Sequence, residues 1–548
     1  MKNFYKHFKK ISLFCFLTLT FTLSSGFTEQ EIEIRPINDY TSLLINHYDG
    51  YSMQMPSSSK ITLNDSHYVT EIDFNNVNIK IFLDDLTTSY ASYLNYSLKG
   101  IRQSQNEHII TYDGNTYLGS KAAHEISFYR SKLKTVNDDK NNYMILFIQL
   151  DNTKALTFMV KSSDAINKKM LLPMLASLNF DQSKIANFPT KVPSVYKLVN
   201  GELKGAQNLS DRTKKFYKDY FLSPDRAWGI FVDEFWINGK VGSIEREIDH
   251  NFSFMLLYHH LSSSNKYVTD AIDYCIRTEK YLELTLQYEV ADGKNQIYGI
   301  LNGEYDEFLT EMAQIVAQSE QPTIFRIANE MNGDWCAYSA YNTGLDADIY
   351  KMAYNHIYNI FEKEGANKNV LYVFNPNGKN FPDFKYNDES MYRPDYKKYQ
   401  LVGLTLYNTG NYYKDEHFVD FDTLYKGLYN SVEQNYDKPM MITEFACAVA
   451  GGDKVAWTQN MFNSIKNYPK IKVAIWFHGV DKDADGNRAR IYLIDEPRQT
   501  LNVFKNNIGS GSNNIYKGIA QNYSTIPSND AHSSSSQNVY SSEFVFSK

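Results

Sequence analysis

From residue 227 to residue 478 one pattern recurs eight times: a short apolar run of strand length, then a longer amphipathic stretch with helical spacing. The apolar runs are Ala227–Trp236, Phe252–His260, Tyr281–Glu289, Pro322–Glu330, Asn369–Asn375, Gln400–Tyr407, Pro439–Glu444 and Lys472–His478. Between them, Tyr305, Phe308, Leu309, Met312, Ile315 and Val316 form one helical stripe. Ile349, Met352, Ala353, Ile357, Ile360 and Phe361 form another. Strands buried on both faces read as continuous apolar runs, and helical crossovers between them make neighbouring strands parallel. Eight such units predict an α/β fold, a (β/α)8 TIM barrel, over residues 207–508. An open doubly wound sheet competes, but the chain lacks the Gly-rich first turn of that fold.

In such a barrel the C-terminal ends of all strands open on one mouth, so the residues that close the runs are the candidate site. Glu330 closes the fourth run and Glu444 the seventh. Two carboxyl groups facing one anomeric carbon are what cleavage of a sugar–sugar bond requires. One protonates the leaving oxygen while the other attacks or activates water. Arg326, four residues before Glu330, is placed on the same side of its strand to hold a carboxylate's charge. Asn329 offers an amide to a sugar hydroxyl. Tyr407, ending the sixth run, is placed to hydrogen-bond Glu444 and keep it ionised. Trp335 and Trp476 are candidate surfaces for stacking on sugar rings. Asp233, Glu234, His259, His260 and His478 also lie at run ends, without an assigned role. Asp481, Asp483 and Asp485 with Gly486 match the first half of a calcium loop, but position 12 is Tyr492 in place of Glu, and a solvated acidic turn is the simpler reading.

Arg326-x-x-Asn329-Glu330-Met-Asn-Gly-Asp-Trp335, Tyr407, the Ile-Thr-Glu444 triplet and Trp476-Phe together resemble glycoside hydrolase family 26. The resemblance covers residues 207–508. It implies a retaining endo-β-glycosidase with Glu330 as acid/base, Glu444 as nucleophile, Tyr407 as its partner, and Trp335 and Trp476 as sugar contacts. It implies no cofactor and no metal. Family members include β-1,4-mannanases, mixed-linkage β-glucanases and β-1,3-xylanases. One departure bears on substrate: the family commonly has His before the acid/base, and this chain has Asn329, as cellulase-like relatives do. Mannan and β-glucan are both open, with mannan ahead on family prevalence.

The remaining regions bound the setting. Lys2, Lys6, Lys9 and Lys10 precede an apolar run, Ile11–Leu23, and the small residues Ser24, Ser25 and Gly26. A run of thirteen residues is too short to span a bilayer, so residues 1–26 are expected to be a secretory signal, with an uncleaved anchor as the alternative. Their removal takes away four lysines and no acid, moving the net charge from −7 to −11. That balance argues against nucleic acid or anionic membrane as partner. Cys275, Cys336 and Cys447 remain, no disulfide framework. Cys336 and Cys447 follow the two glutamates closely and are read as unpaired packing thiols.

Residues 27–182 predict a small α+β domain of unknown role. Its alternating run Thr70–Leu86, a hairpin over Tyr143–Val160 turning near Asn152, and a helix over Asn167–Leu178 faintly resemble photosystem-P/Mog1-like domains. Residues 183–206 read as a linker and 509–548 as a disordered Ser/Asn-rich tail. The expected protein is thus a secreted or cell-surface endo-β-glycosidase acting on a β-linked polysaccharide, with residues 27–182 as the candidate for association with the cell envelope. Two alternatives stand beside it: a glucanase trimming the producer's own exopolysaccharide, and a non-catalytic glycan-binding envelope protein.

Overall fold

The computed structural model describes residues 31–63, 68–104, 106–181 and 208–511. The expected signal and linker, and nearly all of the expected tail, lie outside these residues. Among them, no helix is long and apolar enough to cross a membrane.

The N-terminal region carries two antiparallel sheets. The smaller joins β1 (Ile32–Asn38), β2 (Thr41–Asn46) and β3 (Tyr51–Pro56) to β11 (Asn179–Phe180). The larger has seven strands: β4 (Lys60–Leu63), β5 (Thr70–Phe74), β6 (Val77–Asp85), β7 (Ile109–Leu118), β8 (Lys121–Tyr129), β9 (Asn142–Gln149) and β10 (Lys154–Ser162), in the order β4-β5-β6-β10-β9-β8-β7. The alternating run at 70–86 folds as the β5–β6 hairpin, turning at Asn75, whose φ is +50°. Helix α1 (Tyr90–Gln103) starts at Ser89, whose hydroxyl accepts from the Ser92 amide, and α2 (Lys168–Ala176) follows β10.

Both faces of the larger sheet are buried, which explains why its central strands read as nearly continuous apolar runs. Ile79, Ile81, Leu146 and Phe158 face β3 and α2 in one core, with Met53 and Leu171. Phe82, Ile145, Phe147 and Met159 point the other way, into a core continuous with that of the barrel. Strand residues alternate sides, so a sheet covered on both faces needs apolar residues at successive positions.

The second region is a closed parallel barrel. Its eight strands are β12 (Ala227–Phe231), β13 (Phe254–His260), β14 (Tyr281–Gln287), β17 (Thr323–Ile327), β18 (Val370–Phe374), β19 (Leu401–Thr405), β20 (Met440–Phe445) and β21 (Ile471–Phe477), and β21 pairs with β12 to close it. A short hairpin, β15 (Val290–Ala291) with β16 (Lys294–Asn295), follows β14. A second, β22 (Val480–Lys482) with β23 (Arg488–Ile491), follows β21. Helix α3 (Asp211–Phe221) plugs the base, where Phe216 and Tyr220 meet inward-facing Phe254, Ile324, Leu371 and Ile475. Gly229 is required on β12: an added Cβ would lie 2.7 Å from the Phe254 Cβ and 2.8 Å from its carbonyl oxygen.

The ladder ends earlier than the apolar runs do. The fourth strand stops at Ile327, because Ala328 (φ +53°) and Glu330 (φ +56°) leave extended geometry. Glu330 therefore sits on the turn beyond its strand, as Tyr407 sits beyond Thr405, whereas Glu444 lies within β20.

Candidate active site

The site is built on a polar ladder inside the barrel. On β14 the outward Leu282, Leu284 and Leu286 alternate with inward Glu283, Thr285 and Gln287. Arg326, on the next strand and fully buried, binds this ladder and reaches over it. Its Nε lies 2.9 Å from Glu283 Oε1 and donates to Thr285 Oγ1 at 2.7 Å. Its Nη1 donates to Asn375 Oδ1 at 2.7 Å and to Glu444 Oε1 at 3.0 Å. Asn329 Nδ2 adds a bond to the same Glu444 oxygen at 3.3 Å, while its own Oδ1 accepts from Gln287 Nε2 at 2.8 Å. The Tyr407 hydroxyl donates to Glu444 Oε2 at 3.2 Å. Glu444 thus receives three donors, one of them charged.

Glu330 is held differently. Its backbone N–H donates to the Asn375 carbonyl at 2.8 Å, and the Gly333 N–H donates to the Glu330 carbonyl at 2.8 Å. Its Oε1 accepts from Asn377 Nδ2 at 2.7 Å. Asn377 is itself fixed by Asn332, whose Oδ1 accepts from the Asn377 N–H at 2.7 Å. Two left-handed non-glycine residues this close together store strain of about 1–3 kcal/mol each, which persists only where surroundings over-determine the backbone. The Tyr338 hydroxyl, donating to the Asn329 carbonyl at 2.7 Å, is one such restraint.

Glu283 and Glu444 share one guanidinium, which cannot neutralise both. Burial pushes Glu283 up to about 7. Burial together with the charge of Asp481 pushes Glu444 up to about 8. Burial raises Glu330 too, against the Asn377 amide and the charge of Arg326. A cation in contact favours the charged form of a carboxyl over that of a neighbour without one. That contact belongs to Glu444, whereas Glu330 has only neutral donors beside it.

The structure brings Arg326, Asn329, Glu330, Tyr407 and Glu444 to one mouth. It places Trp476 elsewhere. Trp476 is fully buried in the layer between strands and helices, edge-on to Phe445 at 5.3 Å, with its Nε1 donating to the Tyr492 carbonyl. Strand alternation turns the next residue, Phe477, inward, where it stacks on Phe231 at 4.8 Å and meets Tyr407 edge-on at 5.8 Å. The ring facing the mouth from the eighth strand is thus Phe477. Trp335 is 40% exposed beside the similarly exposed Phe381, their centroids 5.3 Å apart.

The other run-end residues are mostly structural. His259 stacks on Phe308 and pairs with Asn265 on the helix side of the barrel. Burial lowers His478 to about 4, and its Nδ1 accepts from the Ile494 N–H. Asp233 and Glu234 lie exposed in the turn after β12. Asp481 pairs with Arg490, and Asp483 accepts from the N–H groups of Asp485 and Asn487. Among the described residues, no cluster of His, Cys, Asp and Glu is arranged to hold a metal ion. Cys275, Cys336 and Cys447 are free and buried.

Sequence reasoning missed Glu283, Asn375 and Asn377. Glu283 was visible as a lone acid in the run Leu-Glu-Leu-Thr-Leu-Gln, whose polar members share one face. Asn375-Pro-Asn377 was visible as amides at the end of the fifth run.

Residues 282–482, from the third strand to just past the eighth, match the family model for glycosyl hydrolase family 26. Residues 282–482 are a glycosyl hydrolase family 26 domain. A similar protein is Endoglucanase H of Acetivibrio thermocellus, 31% identical over 222 residues. That match covers 39% of this chain and 23% of the relative, so the chain spans about a quarter of the relative's length. Among solved structures, the barrel is similar to the catalytic domain of a Bacillus sp. JAMB-750 endo-β-1,4-mannanase (16% identity, TM-score 0.42, 56% of this chain and 93% of that one). It is also similar to the family 26 domain of a Prevotella bryantii endo-β-mannanase/endo-β-glucanase (13% identity, TM-score 0.39, 55% and 95%).

Proposed function

We propose that this protein is an exported, retaining endo-β-glycosidase that hydrolyses a β-linked polysaccharide. The observation that carries this reading is the unequal dressing of two carboxyls at one barrel mouth. Glu444 is held by a guanidinium, an amide and a phenol, and Glu330 only by neutral donors, the Asn377 amide and the Trp335 indole. In the first step a Glu444 oxygen bonds to the anomeric carbon as the glycosidic C–O bond breaks, and the Glu330 proton passes to the leaving oxygen. In the second, a water oxygen bonds to the same carbon, its proton passes to Glu330, and the bond to Glu444 breaks. Two inversions leave the anomeric configuration unchanged. No cofactor enters either step.

Between the two backbones left open by the sequence, we favour β-glucan over mannan. Asn329 stands where mannan-type members commonly have His, and the relative with 31% identity is named an endoglucanase. Export rests on the basic-then-apolar pattern of residues 1–26. The test is reducing-end release from mixed-linkage glucan, cellulose, glucomannan, mannan and β-1,3-xylan by wild type, Glu330→Ala and Glu444→Ala. Cleavage of a β-glucan, lost in Glu444→Ala and reduced about 10²- to 10⁴-fold in Glu330→Ala, is expected. Cleavage of mannan alone would move the assignment. Binding without cleavage of any polymer, including crude exopolysaccharide from the producer, would leave a glycan-binding barrel.

A further inference from the structure

The N-terminal region does not hang from the barrel by a tether; it grips the loops that carry the site. The loop after β14 is held at three points: Asn106 Nδ2 donates to the Gly293 carbonyl at 2.6 Å, the Asn295 N–H donates to Glu107 Oε1 at 2.7 Å, and His108 Nε2 pairs with the Tyr298 hydroxyl at 3.0 Å. The loop after β17, which bears Glu330 and Trp335, lies directly under α1. The Tyr96 hydroxyl donates to Asp334, four residues past Glu330. One turn along the helix, Gly100 sits so close that an added Cβ would lie 2.3 Å from the Tyr341 carbonyl oxygen. The loop after β18, which bears Asn377 and Phe381, is held by the Lys385 N–H donating to Asp84 Oδ1 at 2.7 Å and by Ser97 paired with the Tyr386 hydroxyl at 3.2 Å.

The loops after β17 and β18 are also stitched to one another. Asn332 Nδ2 donates to the Asn377 carbonyl and to Asn380 Oδ1, and Asn387 Nδ2 donates to the Asn332 carbonyl. Restraint imposed through Tyr96 and Asp84 thus converges on the Asn377–Glu330 contact. It also converges on the strained turn at Ala328 and Glu330, whose backbone needs outside support.

We infer that residues 31–181 form an internal brace for the acid/base, in which Tyr96, through Asp334, and Asp84, through Lys385, are positioning residues for Glu330 and for the Trp335–Phe381 edge of the cleft. Neither touches the reacting atoms. This rests on the hydrolase reading above, in which Glu330 gives up a proton only when the leaving oxygen needs one.

That requirement supplies a readout a merely structural role would not move. Cleavage of a polymer linkage depends on the acid, whereas the first-turnover burst of dinitrophenolate from dinitrophenyl β-cellobioside, which precedes the water step, depends on the nucleophile alone. In the full chain, Tyr96→Phe keeps the ring and removes the hydroxyl. It is expected to lower kcat on mixed-linkage glucan about 10- to 100-fold, the scale of a misplaced catalytic group, and to leave the rate of the dinitrophenolate burst within about twofold of wild type. Ser89→Ala weakens the same helix at its cap, away from the loop; it is expected to lower the melting temperature without changing the ratio of the two activities. Amide hydrogen exchange across residues 329–342 is expected to quicken in Tyr96→Phe and not in Ser89→Ala. Equal loss on both substrates, an unchanged polymer rate, or unchanged exchange across that loop would overturn the inference. If wild type cleaved neither substrate the hydrolase reading would fail, and the exchange result would still decide whether α1 braces the loop.

Discussion

At Arg326 two carboxylates meet one guanidinium, and the charge balance there sets how Glu444 titrates. Glu283 is wholly enclosed by β14 and its neighbours, and burial raises it from 4.5 to about 7. Between those values the native state holds a proton that the unfolded chain has lost. The stability contributed at this position therefore falls as pH rises through that window. Glu283→Gln removes the titration, so thermal stability measured from pH 4.5 to 7 is expected to vary less than in wild type. The same substitution leaves Arg326 to Glu444 alone, which favours its ionised form. The acidic limb of kcat/KM is expected to move to lower pH, and an unmoved limb would mean that Glu283 does not share in the charge balance at Glu444.

Among the elements, α1 carries a residue that conflicts with its own secondary structure. Gly100 lies in the helix interior, where glycine is about 1 kcal/mol less favourable than alanine. Propensity alone would make Gly100→Ala stabilising. The close approach of the Tyr341 carbonyl reverses that sign, because a Cβ at 2.3 Å forces the helix off the loop. Overpacking of this kind costs about 1–3 kcal/mol, so Gly100→Ala is expected to lower the urea midpoint. A raised midpoint would show that helix and loop are not in contact as described. The eighth strand shows the complementary case, in which one residue of register decides which ring faces the substrate. Phe477 points into the mouth and Trp476 into the helix layer. Phe477→Ala is expected to raise KM for the polymer, whereas Trp476→Ala is expected to act on stability, by about 3–5 kcal/mol.

On the scale of the whole molecule, the larger sheet and the barrel share a core and a buried ion cluster. Lys161 Nζ meets Asp346 at 2.9 Å and Asp348 at 2.6 Å, Lys80 meets Asp348 at 2.6 Å, and the Tyr143 hydroxyl donates to Asp346 at 3.0 Å. Nearby lysines, against the cost of burial, hold the Asp348 carboxyl well below its ordinary value of 3.8. Its contribution is present above that value and is lost as pH falls below it. The two regions are expected to unfold as one transition in calorimetry near neutral pH, with van't Hoff and calorimetric enthalpies in agreement. Stability should decline steeply below about pH 4. Two resolved transitions at neutral pH would show the regions to be independent, as would a soluble, fully active barrel lacking residues 31–181.

The sequence by itself determined the barrel, because eight apolar runs with helical spacers satisfy hydrogen bonding and burial together in few ways. It also determined the two glutamates, since polar residues that end such runs reach the mouth of any closed barrel. It did not determine where each ladder stops or which face each ring takes. Ala328, Glu330 and Trp476 were read one register too regularly, because backbone strain and strand alternation near a loop depend on what packs behind it. Glu283, Asn375 and Asn377 are amides and an acid like many others in the chain until strands from distant sequence set them around Arg326 and Glu330. The bracing role of residues 31–181 was decided by tertiary structure alone. Tyr96 and Asp334 stand 238 residues apart, and no local pattern records that they touch.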